Sequence, residues 1–97
     1  MVNVREWDAS AYLNTEQDII DYLDAAAETG DPALMQAAIG DVAKTRGMGQ
    51  IAREAGVGRE SLYKSLSRDG NPSYQTILKV LHALGCRISI TAAKPTA

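Results

Sequence analysis

The residue types best suited to binding chemistry lie together near the middle of the chain. Arg59 and Lys64 are long cations that can contact phosphate oxygens or the acceptor atoms of guanine. The hydroxyl groups of Ser61 and Tyr63 can hydrogen-bond to base edges or to the DNA backbone. The candidate DNA-binding residues are Arg59, Glu60, Ser61, Tyr63 and Lys64, with Gln50, Arg68 and Asn71 expected to hold phosphates on either side.

Charge is unevenly distributed along the 97 residues, although the formal net charge is only -2. Residues 1–43 contain one base and nine acids, a net charge of -8, whereas residues 44–87 contain eight bases and three acids, a net charge of +5. This asymmetry favours a polyanionic partner for the basic part. The alternative is that both parts only present solvated charged faces.

Several kinds of chemistry are not expected from this composition. The single cysteine, Cys86, cannot form an internal disulfide, and the single histidine, His82, has no recognisable companion for a metal site or a nucleophile and base pair. We therefore expect no enzyme activity, no metal and no cofactor. The first residues lack a signal-peptide pattern, and no run approaches the roughly 18 apolar residues that span a bilayer. A cytoplasmic location without a membrane partner is expected.

Capping signals and apolar spacing predict five helices in one domain over residues 1–97, with an acidic helical extension over about residues 1–30. Thr15 with Asp18 resembles a weak capping box, and Asp31 with Pro32 forms a typical helix start. The predicted helices run from Thr15 to Gly30, from Asp31 to Gly47, from Met48 to Ala55, from Arg59 to Leu66 and from Pro72 to Gly85. The last helix is expected to carry Tyr74, Ile77, Leu78, Leu81 and Leu84 on one face.

The third and fourth helices have the pattern of a helix-turn-helix. Ala52 is small where the two helices must cross, and Gly56 supplies the positive φ that a sharp turn requires. Val57 fills the turn. The inward apolar positions are Ile51, Ala55, Leu62 and Leu66. The alternative is a plain helical hairpin that has a glycine turn and binds no ligand.

Alternating residue types after the fifth helix predict a short strand over about residues 86–91. Since a lone edge strand is unstable, we expect it to pair with its copy across a two-fold axis, through Arg87, Ile88, Ser89 and Ile90. The predicted fold class is all-α: a five-helix, repressor-like helix-turn-helix domain with a short C-terminal β-strand that pairs in a homodimer. The two recognition helices would then lie roughly 34 Å apart, one turn of DNA.

The segment RGMGQIAREAGVGRESLYKSLSRDGNPSYQTILKVLHALG resembles the repressor-type helix-turn-helix of addiction-module antidote proteins, the HigA-like antitoxins of the Cro/repressor class. The amino-terminal segment WDASAYLNTEQDIIDYLDAAAETGDPAL and the strand after Gly85 extend the resemblance over nearly the whole chain. This resemblance implies a cognate small basic toxin of the RelE/ParE-like kind and repression of the chain's own operon at a palindromic operator. Gly58 departs from the pattern, because many repressors have serine at that cap.

The resemblance gives the acidic first helix a candidate role in toxin binding. Asp18, Asp21 and Asp24 lie along one side of this helix, and Trp7 and Tyr12 precede it as aromatic anchors. The alternatives are that the acidic stripe is only solvated and that the aromatic residues pack onto the domain. Two other functions stay open: a stand-alone Cro-like repressor, and a module that sequesters a toxin without binding DNA.

Overall fold

Five α-helices make up the regular structure of the computed structural model, which describes residues 13–93. All five predicted helices are present, so the prediction of an all-α fold is confirmed for the described residues. The helices are α1 (Glu16–Glu28), α2 (Pro32–Arg46), α3 (Met48–Ala55), α4 (Arg59–Ser65) and α5 (Tyr74–Ala83).

The helix starts follow from local side-chain chemistry. The Thr15 hydroxyl accepts a hydrogen bond from the Asp18 backbone N–H at 3.1 Å, and the Asp18 carboxylate accepts one from the Thr15 N–H at 3.1 Å. This is the predicted capping box of α1. Asp31 caps α2 by accepting from the N–H of Ala33 at 3.0 Å, with Pro32 in the first turn. These local contacts explain why the boundaries of α1 and α2 agree with the sequence pattern.

The core forms where α3 packs against α2, α4 and α5, while α1 packs against α2. The largest fully buried side chains come from four different helices and are Ile19, Ile39, Val42, Leu62 and Val80. Burial of these side chains provides the main driving force for packing short helices that would be unstable alone. Packing against α3 therefore sets the position of α4.

The buried face of α5 differs from the predicted one. Tyr74 is 68% exposed and Leu78 is 37% exposed, whereas Val80 is fully buried. Tyr74 and Leu78, predicted to share one face with Ile77, Leu81 and Leu84, therefore lie outside the core. Residues 77, 80, 81 and 84 also have helical spacing, so the apolar pattern fits two overlapping faces, and packing against α3 selects the second.

The predicted strand over residues 86–91 is not formed within the described chain, where this segment has no regular secondary structure. Helix α5 ends in a glycine turn: Gly85 has a φ of 81°, its N–H donates to the carbonyl of His82, and the Cys86 N–H donates to the carbonyl of Leu81 at 2.8 Å. Because strand hydrogen bonds must come from a neighbouring strand, one chain without such a neighbour cannot show them. Pairing in a dimer remains a proposal.

The turn between α3 and α4 is built as predicted. Gly56 has a φ of 74° and a ψ of 31°, in the left-handed region. The Val57 N–H donates to the Ala52 carbonyl at 3.0 Å, and the Gly56 N–H donates to the Arg53 carbonyl at 3.2 Å. Ala52 is 2% exposed, consistent with its predicted place at the helix crossing. The prediction of a positive φ at Gly56 is confirmed.

Substituting Gly56→Val is expected to lower the free energy of unfolding by about 2 kcal/mol, because a β-branched residue rarely adopts left-handed dihedrals. A Cβ atom here would meet no atom within 4 Å, so the loss would be a backbone effect. Gly56→Asn is the matched control, since asparagine tolerates this conformation. Urea unfolding measures both variants, and a valine variant as stable as the wild type would contradict the assigned turn.

Candidate nucleic-acid interface

Helix α4 is anchored on one side and exposes the other. Leu62 is 1% exposed, and Leu66, directly after the helix, is 3% exposed. Their spacing of four residues places both anchors on one face. The exposed residues are Arg59, Glu60, Ser61, Tyr63 and Lys64, and the same five line one open surface depression. The structure thus brings together all five helix residues that the sequence indicated.

Gln50, Arg68 and Asn71, the predicted flanking residues, are all exposed. Gln50 lies on α3, and its side-chain amide donates to a carboxylate oxygen of Glu54 at 3.2 Å. Arg68 and Asn71 lie in the loop between α4 and α5. These positions leave the three side chains accessible on α3 and on the loop that follows α4.

Gln36 of α2 holds the loop after α4 in place. Its side-chain amide donates to the carbonyl oxygens of Ser67 and Gly70, each at 2.7 Å. These bonds join α2 to the loop on both sides of Arg68. Sequence reasoning missed Gln36; the one signal was a long polar side chain within an alanine-rich helix.

A second groove, not predicted from the sequence, lies between α2 and the end of α4. The Lys44 ammonium is 4.8 Å from the centre of the Tyr63 ring, a distance at which a cation is attracted to the ring face. Both residues line this groove together with Arg68. The groove therefore joins a cation of α2 to the exposed face of α4.

The acidic residues of α1 do not form a uniform stripe. Asp18 is committed to the capping box, and Asp21 accepts a hydrogen bond from the Gln17 amide at 2.8 Å. Asp24 is exposed and lines a depression that also includes the 46% exposed Ile20. The predicted anchors Trp7 and Tyr12 lie outside the described residues.

A hydrogen bond between Tyr22 and Asp41 joins α1 to α2. The Tyr22 hydroxyl donates to a carboxylate oxygen of Asp41 at 2.7 Å. Burial, followed by the hydrogen bond and the negative charge of Asp41, raises the pKa of Tyr22 above its usual value. The hydroxyl group therefore keeps its proton, and donates to Asp41, up to a higher pH than that of an ordinary tyrosine.

The segment after α5 carries the residues predicted for dimerisation. Arg87, Ile88, Ser89 and Ile90 are all exposed. Ile90 is 91% exposed and Ile88 40% exposed. Ile88 borders two depressions, one with Ile20 of α1 and one with Leu78 of α5. Exposed apolar side chains on both sides of this segment are compatible with a partner surface.

Residues 13–93 contain no cluster of histidine, cysteine, aspartate and glutamate that could hold a metal ion. No helix in the same range is long and apolar enough to cross a membrane.

The sequence is similar to a known protein family and to a bacterial protein. A family model described as "probable addiction module antidote protein" matches residues 3–92. An uncharacterized protein of Haemophilus influenzae is 37% identical over 91 residues, which cover 94% of each chain. No solved structure matches.

Proposed function

Because this chain belongs to the family of probable addiction module antidote proteins, we propose that it is a DNA-binding antitoxin of a type II toxin-antitoxin module. It neutralises a cognate small basic toxin of the RelE/ParE-like kind and represses its own operon by binding a palindromic operator. Operator binding makes the cytoplasm its site of action. We propose no catalytic activity for this chain.

The exposed face of α4 is the observation that carries the DNA-binding part. A glycine turn and two buried leucines hold a short helix whose outer side presents two cations and two hydroxyl groups. Such a helix can enter the major groove, where side chains reach base edges and phosphates. A plain structural hairpin would not require this set of side chains on its exposed face.

A homodimer supplies the symmetry that a palindromic operator needs. In the proposed dimer, residues 86–91 pair with their copy, so that Ile88 and Ile90 become covered and the strand edge gains hydrogen bonds. The interface would also bring two copies of α4 to one DNA duplex. Size-exclusion chromatography with light scattering tests this state.

The central experiment combines co-purification and a gel shift. The chain is expressed with the product of the adjacent reading frame, and the purified proteins are tested on DNA from upstream of the operon. We expect a stable complex with a small basic protein and a shift of the upstream DNA by the chain itself.

Each alternative predicts a different result in this experiment. A stand-alone Cro-like repressor shifts the DNA but captures no neighbouring protein. A toxin-sequestering module captures the neighbour but leaves the DNA unshifted. Failure of both assays would overturn the proposed function.

For toxin binding, the double variant Asp21→Asn, Asp24→Asn is expected to slow association and flatten its salt dependence without abolishing the complex. Both aspartates are exposed, and rim charges mainly raise the association rate. Surface plasmon resonance at low salt against the neighbouring gene product measures this rate.

Operator binding by the free dimer is the internal control, because α4 lies elsewhere on the surface. Asp18 is left unchanged, since its replacement would remove the capping box and confuse stability with steering. An association rate unaffected by the double substitution would mean that the acidic side of α1 is only solvated.

A further inference from the structure

The groove between α2 and the end of α4 lies beside the exposed side chains of α4. We infer that it is a second contact site for the phosphate backbone of DNA, with Lys44 as its main cation. This inference rests on the proposed function and deepens it, since α4 could contact DNA without Lys44. It makes α2 a part of the nucleic-acid surface.

Continuity with α4 is the first support. Tyr63 borders both the depression along α4 and the groove that contains Lys44 and Arg68. Because Tyr63 borders both depressions, they form one continuous surface. A duplex whose bases meet α4 must pass its sugar-phosphate backbone along the flanks of that helix.

The charges in the groove favour an anion. Lys44 and Arg68 are exposed cations on opposite elements, one on α2 and one in the loop after α4. One acid, Asp41, also lines the groove, but one of its carboxylate oxygens already accepts the Tyr22 hydroxyl. The groove therefore contains two cations and one carboxylate, and that carboxylate already accepts a hydrogen bond from Tyr22 of α1.

The Tyr63 ring restrains Lys44. With the ammonium 4.8 Å from the ring centre, the cation is held over an aromatic face and its long side chain has fewer free conformations. Holding the cation before DNA arrives reduces the ordering that binding requires. Lys44 is thus a phosphate contact, and the Tyr63 ring acts as its positioning group.

The salt dependence of binding tests Lys44 directly. Binding is measured with a labelled duplex from upstream of the gene. In Lys44→Gln, the slope of log K against log salt concentration should become less steep by about 0.9 for each bound protomer, since one phosphate contact is lost. Lys44→Arg keeps the charge and should retain the slope. Lys79→Gln removes another exposed cation, on α5 and in the depression that contains Ile88, and should leave the slope unchanged.

A double-mutant cycle tests the role of the ring. Tyr63→Phe keeps the aromatic face, so Lys44→Gln should lower the affinity for DNA by the same factor in that background as in the wild type. In Tyr63→Ala the loss should be smaller, because the cation is no longer held. Equal losses in the phenylalanine and alanine backgrounds would overturn the positioning role.

Two outcomes separate this inference from the proposed function. If Arg59→Ala weakens binding while Lys44→Gln leaves the salt slope unchanged, the second phosphate contact is wrong and α4 remains the DNA-binding element. If the wild-type chain binds neither the upstream duplex nor a random duplex of equal length, the proposed function and this inference both fail.

Discussion

The double variant Arg59→Ala, Lys64→Ala is expected to weaken operator binding roughly 1000-fold for each bound protomer. Each side chain is assigned about 1 to 3 kcal/mol, the range expected for a residue that reads a base. Both residues are exposed on α4, so the fold should persist. Fluorescence anisotropy on upstream DNA measures the affinity, and circular dichroism checks the helix content.

Comparison with a random duplex separates the two kinds of contact. Loss of a base contact narrows the difference between operator and random DNA, whereas loss of a phosphate contact weakens both equally. Lys79→Ala is the control for removing a positive charge from a helix other than α4. A folded double variant with wild-type affinity would show that α4 does not read DNA.

The substitution Gly40→Val is expected to lower the free energy of unfolding by about 3 kcal/mol, the upper part of the range for overpacking a core. A Cβ atom at Gly40 would lie 2.9 Å from the carbonyl oxygen of Leu66 and 3.3 Å from its Cβ. The backbone of α2 therefore touches the end of α4, and a larger residue must push them apart. Thermal unfolding at one protein concentration should show a midpoint lower by roughly 10 °C or more.

Two other variants isolate this close approach. Ala25→Val places the same β-branched side chain on the exposed side of α1 and is expected to cost only about 0.5 kcal/mol through helix propensity. Gly40→Ala should fall between the two, because the improved helix propensity of alanine offsets part of the clash. A valine at position 40 tolerated as well as one at position 25 would rule out the close contact with Leu66.

The features determined by short-range interactions could be predicted from the sequence. Thr15 with Asp18, and Asp31 with Pro32, set helix starts through contacts within a few residues, and these contacts do not depend on the rest of the fold. Gly56 marks a turn because its conformation is a property of one residue. For the same reason, the exposed set on α4 followed from the spacing of its leucine anchors.

Long-range packing decided what the sequence left open. The apolar pattern of α5 fits two faces, and only contact with α3 shows that Val80 is inside while Leu78 is outside. The same is true of Gly40, which resembles any helical glycine until Leu66 is seen against it.

The groove between α2 and the end of α4 also depends on tertiary structure. Lys44 and Tyr63 are far apart in sequence, and their contact requires the packing that brings α2 beside α4. Local sequence determines which dihedral angles and caps are favourable, since those energies come from near neighbours. Contacts between helix faces that are far apart in sequence depend on the joint packing of several helices. Only the tertiary structure could therefore show that Lys44 of α2 lies beside the exposed face of α4.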